Sequence, residues 1–261
     1  MGFSIDQFRL DGKVAIVTGA GGRGNSIGRA YALGLSRAGA QVVVADIQAE
    51  GAQKVCDEIA AAGGSAIALG VDITKPDSVR RMAGAARDAF RGVDILVNNA
   101  ALMAELGYVP AADIPLDQWN RILDVNLTGA LNCVQAIVPL MRERGAGKIV
   151  NQVSGGAFPA LSVYGISKLA LVGLTTTLAR QLGREKITVN AIAPGNTMSD
   201  AGKLLTPDDS PFVKMLEATV ALRVRGQPDE LVGTLLLLCS SAGDWITGQV
   251  LHVDGGWILR P

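Results

Sequence analysis

Short β-branched runs alternate with longer helix-patterned stretches along the whole chain. The runs are Lys13–Thr18, Gln41–Asp46, Ala66–Val71, Val93–Asn98, Lys148–Val153, Thr188–Ala193 and Gln249–Val253. Between them, helical patterns lie near 26–39, 48–62, 76–90, 117–143, 163–184 and 228–240. Strict alternation predicts a parallel sheet covered on both faces, because each crossover carries a helix back over the sheet. Right-handed crossovers then make the sheet doubly wound. The expectation is one α/β domain over residues 1–261, with a mostly parallel seven-stranded sheet and helices on both faces. Pro76 and Pro228 stand where first helical turns begin, a position that needs no N–H. The one long irregular stretch runs from Gly195 to about Pro211, followed by a short amphipathic segment to Leu222. Excursions of this length in compact domains are often lids, so 195–222 is read as one.

Composition narrows the class. Of 261 residues 49% are hydrophobic, enough for one sizeable core. The 24 basic and 24 acidic side chains cancel, which leaves no electrostatic footprint for nucleic acid or an anionic membrane. No 18-residue apolar run appears, so no spanning helix is expected, and Met1–Leu10 lacks the apolar stretch of a signal peptide. Cys56, Cys133 and Cys239 are scattered and odd in number. They read as reduced, packed thiols of a cytoplasmic protein. With one histidine, His252, and no Cys cluster, no metal site is expected.

Three features carry chemistry. Tyr164 and Lys168 stand one helical turn apart and share a helix face. An ammonium beside a phenol favours the phenolate, which makes the tyrosine a usable acid or base. The first strand ends in Thr18-Gly19-Ala20-Gly21-Gly22-Arg23-Gly24-Asn25-Ser26-Ile27-Gly28, and a helix follows. Such a loop lets main-chain N–H groups approach a pyrophosphate at the helix N-terminus. The second strand ends in Asp46, which either accepts bonds from adenosine ribose hydroxyls and repels a 2′-phosphate or caps the next helix. Ile47 offers no positive charge for NADP, whereas Arg23 and Arg29 lie near in sequence.

Further motifs follow in order: Asp72 in Val-Asp-Ile, Asn98-Asn99-Ala100, Asn126 in Val-Asn-Leu, Ser154, Pro194-Gly195, Ile246-Thr247-Gly248-Gln249 and Asp254-Gly255-Gly256. Over nearly its whole length the chain resembles the short-chain dehydrogenase/reductase family. The resemblance implies a Rossmann-like sheet, a nicotinamide cofactor and a homotetramer. It implies that Tyr164 exchanges a proton with a carbonyl or carbinol oxygen, and that Lys168 lowers the Tyr164 pKa and bonds the nicotinamide ribose. It gives Ser154 the substrate oxygen and Asn126 a relay water. It places Gly19, Ser26 and Ile27 on the dinucleotide, Asp72 and Ile73 at the adenine, Asn98 at the adenosine-side ribose, and Thr197 at the nicotinamide carboxamide. Taken singly, Ser154 reads equally as bonding a loop backbone, Asn126 as repairing a helix kink, and Asn98 and Asn99 as turn residues.

The chain departs from the family pattern in three places. Gly19 and Gly28 stand nine apart instead of six, with Ser26 at the middle-glycine place. This longer loop is similar to that of the family's enoyl reductases, whose active-site tyrosine and lysine are spaced more widely than Tyr164 and Lys168. Ser154 precedes Tyr164 by ten residues where thirteen is common, which leaves Ser162 as the weaker candidate. Ala101 replaces a commoner glycine. Leu102, Met103, Phe158, Leu161 and Met198 are candidate apolar pocket walls, while His252, Trp119 and Trp245 read as structural. The expected activity is NAD-dependent hydride transfer to or from a secondary alcohol or ketone, with an apolar cyclic or aromatic small-molecule substrate. The alternatives are an NADPH-dependent 3-oxoacyl-thioester reductase and a non-catalytic dinucleotide sensor.

Overall fold

The computed structural model describes residues 2, 4–22, 24–103, 109–160, 162–205 and 209–259. Seven strands form one sheet: β1 (Val14–Thr18), β2 (Gln41–Asp46), β3 (Ala66–Gly70), β4 (Ile95–Asn98), β5 (Gly147–Gln152), β6 (Ile187–Pro194) and β7 (Val250–Val253). Their order is 3-2-1-4-5-6-7, and every pairing among the described residues is parallel. All strands therefore end on the same edge, and the order reverses between β1 and β4. That reversal opens the crevice in which α/β sheets bind ligands.

The helices segregate by the two-residue alternation of the strands. On one face Ala15, Val17, Val42, Val44, Val150 and Ile192 pack against α1 (Ile27–Arg37), α2 (Ala49–Ala61) and α9 (Val232–Cys239). On the other, Ile16, Val43, Leu96, Ile149 and Val189 pack against α3 (Pro76–Phe90), the later part of the long helix, and α6 (Val163–Leu182). Pro76 occupies the first turn of α3, and Pro228 opens a 3-10 turn, Pro228–Leu231, ahead of α9.

The helical stretch read as 117–143 runs from Leu116 to Arg144. A π-helical turn at Asp124–Thr128 divides it into α4 (Leu116–Leu123) and α5 (Gly129–Arg144). Contrary to the reading from run length, this rod is long and apolar enough by composition to cross a membrane. Its apolar residues Cys133, Val134, Ile137 and Met141 are instead buried in the core against the sheet. The irregular stretch after β6 carries two short helices, α7 (Asp200–Leu205) and α8 (Pro211–Thr219).

Candidate active site

At the end of β1 the backbone turns through Gly19, whose φ of +66° is in the left-handed region. A Cβ there would stand 2.6 Å from the Ala100 Cα, and one on Gly28 would stand 2.2 Å from the Gly19 carbonyl oxygen. Both positions therefore require glycine. Asn99 locks the turn: its amide donates to the carbonyls of Thr18 (3.0 Å) and Gly19 (2.9 Å). Thr18 Oγ1 accepts from the Asn99 and Ala100 N–H groups at 3.1 and 3.2 Å. Ser26 caps α1 by accepting from the Arg29 N–H at 3.2 Å.

Asp46 is only 8% exposed. Its two carboxylate oxygens accept from the N–H groups of Gly21 (3.0 Å) and Gln48 (2.9 Å). It thus braces the glycine loop and shapes the entry to α2, and each oxygen keeps a lone pair for a ligand hydroxyl. Burial raises its pKa, opposed by these N–H donors.

Ser162, three residues before Gly165, starts α6 by accepting from the Gly165 N–H at 3.2 Å. Capping occupies this serine, while Ser154, also a cap, is the one next to the Tyr164 phenol. Ser154 Oγ accepts from the Gly156 N–H at 3.1 Å and stands close enough to the Tyr164 phenol to lower its pKa. The short connection between them is tight: Gly155–Ala157 form a 3-10 turn, and Ala160 adopts φ +48°.

Lys168 is 1% exposed. Its Nζ donates to the Gln152 carbonyl at 2.7 Å and lies 5.7 Å from the Tyr164 ring centroid. Burial pushes Lys168 down to about 7. It pushes Tyr164 up to about 12, with Ser154 working the other way. The expected lowering of Tyr164 by Lys168 is therefore not the balance found here. Withdrawal from water penalises the charged form of each group.

One cleft of about 270 Å³ gathers Gly19, Ser26, Ile27, Asp46, Tyr164 and Lys168, with Met103 on its wall. Asp72, Ile73 and Leu102 line an adjoining cavity of about 700 Å³ that shares Gly19 and Asp46. Asp72 also closes its own turn, its Oδ1 accepting from Thr74 N (2.9 Å) and Oγ1 (2.6 Å). Asn126 sits in the π turn, and its Oδ1 accepts from the Leu102 N–H at 2.7 Å. Its amide donates to Leu102 O (3.1 Å) and Ser167 Oγ (3.0 Å).

Two expected cofactor residues are not on the cleft walls. Asn98 is buried, its amide donating to Asn151 Oδ1 at 2.9 Å. Asn99, the next residue, lines the cleft instead. Thr197 is drawn away by a bridge to Gly226 and lines a separate cavity of about 130 Å³. Arg23 and Leu161 lie outside the described residues. Phe158 stacks on His252 with ring centroids 4.8 Å apart. Trp245, read as a packing residue, is fully exposed, whereas Trp119 is half-buried. Trp257 of the C-terminal segment covers Gly155, where a Cβ would stand 2.8 Å from its ring.

Sequence reasoning missed a latch between the lengthened glycine loop and the start of α7. The Asn25 N–H donates to Asp200 Oδ2 at 2.9 Å, and the Asp200 N–H donates to Asn25 O at 2.9 Å. Asn25 Nδ2 also donates to Met198 O at 3.1 Å. The three additional loop residues were the available signal, since extra length needs an anchor.

The comparisons agree with this geometry. A family model described as Enoyl-(Acyl carrier protein) reductase matches residues 22–258. An uncharacterized oxidoreductase of Mycobacterium tuberculosis (strain H37Rv) is 46% identical over 251 residues, 96% of this chain and 99% of its own length. The 7alpha-hydroxysteroid dehydrogenase of Escherichia coli (strain K12) is 38% identical over 260 residues, 98% of each chain. A solved 7alpha-hydroxysteroid dehydrogenase, complexed with NADH and 7-oxo glycochenodeoxycholic acid, superposes with a TM-score of 0.91 at 36% identity, covering 99% of each chain. A parallel sheet with a glycine turn at its switch point, and a buried tyrosine and lysine beside it, define a Rossmann-like oxidoreductase of the nicotinamide-dependent kind. The chain belongs to the short-chain dehydrogenase/reductase family.

The latch has a measurable consequence. Asp200→Ala removes the Asn25 N–H acceptor, a loss of about 1 kcal/mol. Limited proteolysis of segment 195–222 is expected to accelerate severalfold in this variant while the melting temperature changes little. Unchanged nicking would show that the loop does not restrain the lid.

Proposed function

We propose that the protein is an NAD-dependent secondary-alcohol dehydrogenase or ketone reductase. The observation that carries this reading is the meeting of Tyr164 and Lys168 in a cleft that also holds Asp46, with Ser154 next to the phenol. The residues fit a dinucleotide, because the glycine turn and the Ser26-capped N-terminus of α1 line the same cleft as Asp46. Gly19, Ser26 and Ile27 hold the pyrophosphate side, Asp46 the adenosine ribose, Asp72 and Ile73 the adenine, and Tyr164 with Lys168 the nicotinamide ribose. Bound there, the cofactor supplies or accepts the hydride. Tyr164 exchanges the proton on the substrate oxygen, Ser154 holds that oxygen, and Lys168 supports the phenol. Asn126 has both amide hydrogens committed, but its Oδ1 accepts only from Leu102 and keeps a lone pair for the relay water assigned to it.

NAD is favoured over NADP by the buried Asp46 carboxylate and by the Ile47 side chain beside it. Arg29 is engaged with Glu58 in a two-pronged ion pair and is not free for a 2′-phosphate. Tyr164 and Lys168, one turn apart on α6, suit carbonyl chemistry. The apolar Met103 and Leu102, and the relative named for a hydroxysteroid, support an uncharged alicyclic or aromatic substrate. A second reading, reduction of a 3-oxoacyl thioester with NADPH, is favoured by a relative of that name in Synechocystis, 35% identical over 255 residues. The retained Tyr164–Ser154–Lys168 set speaks for turnover over a sensing role. Three buried thiols, with Cys133 and Cys239 pushed up to about 12 and Cys56 up to about 11 by burial, suit a reducing cytoplasm.

Assembly into a homotetramer with two-fold axes belongs to the same reading. The rods 116–144 and 163–182 would form one interface; β7, an edge strand, and the exposed Trp245 and Leu259 favour another.

Three measurements test these claims. Tyr164→Phe keeps the ring and loses the proton, so turnover should fall at least about 100-fold with NADH binding retained; Lys168→Ala should damage both rate and cofactor affinity. Near-normal turnover of Tyr164→Phe sinks the acid/base assignment. In initial rates on a panel of ketones and alcohols with both cofactors, Asp46→Ala should narrow the NAD preference by about 1–3 kcal/mol. A wild type that prefers NADPH overturns the ribose role of Asp46. Light scattering at micromolar concentration should give four times the 27.0 kDa chain mass, and a monomer mass refutes the assembly.

A further inference from the structure

We propose that Gln152 is a further cofactor-binding residue: its carboxamide N–H donates a hydrogen bond to an oxygen of the nicotinamide nucleoside half of the dinucleotide, with Tyr31 fixing its orientation. The inference rests on the dinucleotide reading above and adds a contact to it.

Gln152 is the last residue of β5 and only 6% exposed. Val150, two residues earlier, packs on the α1 face of the sheet with Tyr31. Strand alternation therefore sends the Gln152 side chain to the same face. There Tyr31, wholly buried on α1, donates its hydroxyl to Gln152 Oε1 at 2.7 Å. No other described residue accepts that proton, and a buried hydroxyl without an acceptor costs about 1–3 kcal/mol. The bond therefore fixes the flip of the carboxamide. Oε1 faces Tyr31, and the NH₂ group faces the other way.

That NH₂ group donates to no described residue, yet Gln152 lines the cleft together with Ile27, Tyr164 and Lys168. The NH₂ group is not sealed in the core but opens to the cleft, where an acceptor on a bound ligand can meet it. The same residue's carbonyl receives Lys168 Nζ at 2.7 Å, so its backbone is held at the catalytic end. The strand order supplies the length. From β2, which ends in Asp46, to β5 is three strand steps, or roughly 14 Å at about 4.8 Å each. A dinucleotide with its adenosine ribose on Asp46 thus brings its second nucleoside to Gln152. An apolar residue at 152 would satisfy the core equally well if Tyr31 were also apolar. The polar pair is explained by a ligand.

The test uses the full-length protein, with NADH as one probe and ADP, which carries only the adenosine half, as the other. Gln152→Glu still accepts from Tyr31 but has no N–H to give. Tyr31→Phe with Gln152→Leu removes both partners together and leaves no orphaned hydroxyl. Calorimetric titration of either variant should show NADH affinity falling about 10-fold while ADP affinity stays within about twofold of wild type, as the loss of one buried hydrogen bond implies. NADH affinity unchanged in Gln152→Glu, or NADH and ADP weakened equally, overturns the proposal and leaves the dinucleotide reading standing. A wild type that binds neither NADH nor NADPH overturns both.

Discussion

The site depends on how closely two pieces of main chain approach each other at the end of β1. Gly19 lies against Ala100, and Gly28 against the Gly19 carbonyl, at distances that exclude any Cβ. This contact brings the N-terminus of α1 down onto the strand ends and fixes the floor of the cleft. Asn99 and Thr18 hold it with four hydrogen bonds. A side chain at either glycine would lift α1 and part the residues that share the cleft, so the geometry of Tyr164 and Lys168 toward a ligand is set from the opposite wall.

Burial is the second constraint. Lys168 is buried and Tyr164 half-buried, and desolvation moves both toward neutrality. A buried pair whose charged forms are both penalised responds strongly to any charge or dipole that enters the cleft, because little solvent screens it. The hydrogen bond from Lys168 to the Gln152 carbonyl compensates part of the cost and holds the ammonium in place.

The pieces around the cleft are coupled through small contacts. The glycine loop, three residues longer than usual, is bonded to the start of α7. The shortened loop after Ser154 is roofed by Trp257, whose segment is itself pinned by Asp254 accepting from the Gly256 and Ile258 N–H groups at 2.9 Å each. The C-terminal segment thus packs on the loop after Ser154, which leaves Leu259 exposed. Extra length in one loop and lost length in another are each absorbed by a neighbouring segment.

The alternation of apolar runs determined the sheet, its parallel sense and the helices on both faces, because pattern and crossover handedness leave few ways to bury such a chain. The spacing of Tyr164 and Lys168 and the glycines after Thr18 were legible for the same local reason: one helical turn and one tight bend are set by neighbours in sequence. What lay beyond local geometry was decided by packing. Asn98 and Thr197 carry the right residue types, yet Asn151 and Gly226 claim them, and neither partner is near in sequence. Trp245 reads as a packing residue by its side chain and yet stands in solvent, just past the 3-10 turn Ser241–Gly243 that follows α9. The Tyr31–Gln152 pair and the Asn25–Asp200 latch join residues 121 and 175 positions apart. A sequence gives no distance between such residues. Only the folded sheet, which lays β5 against α1 and the lid against the loop, brings their donors and acceptors within 3 Å.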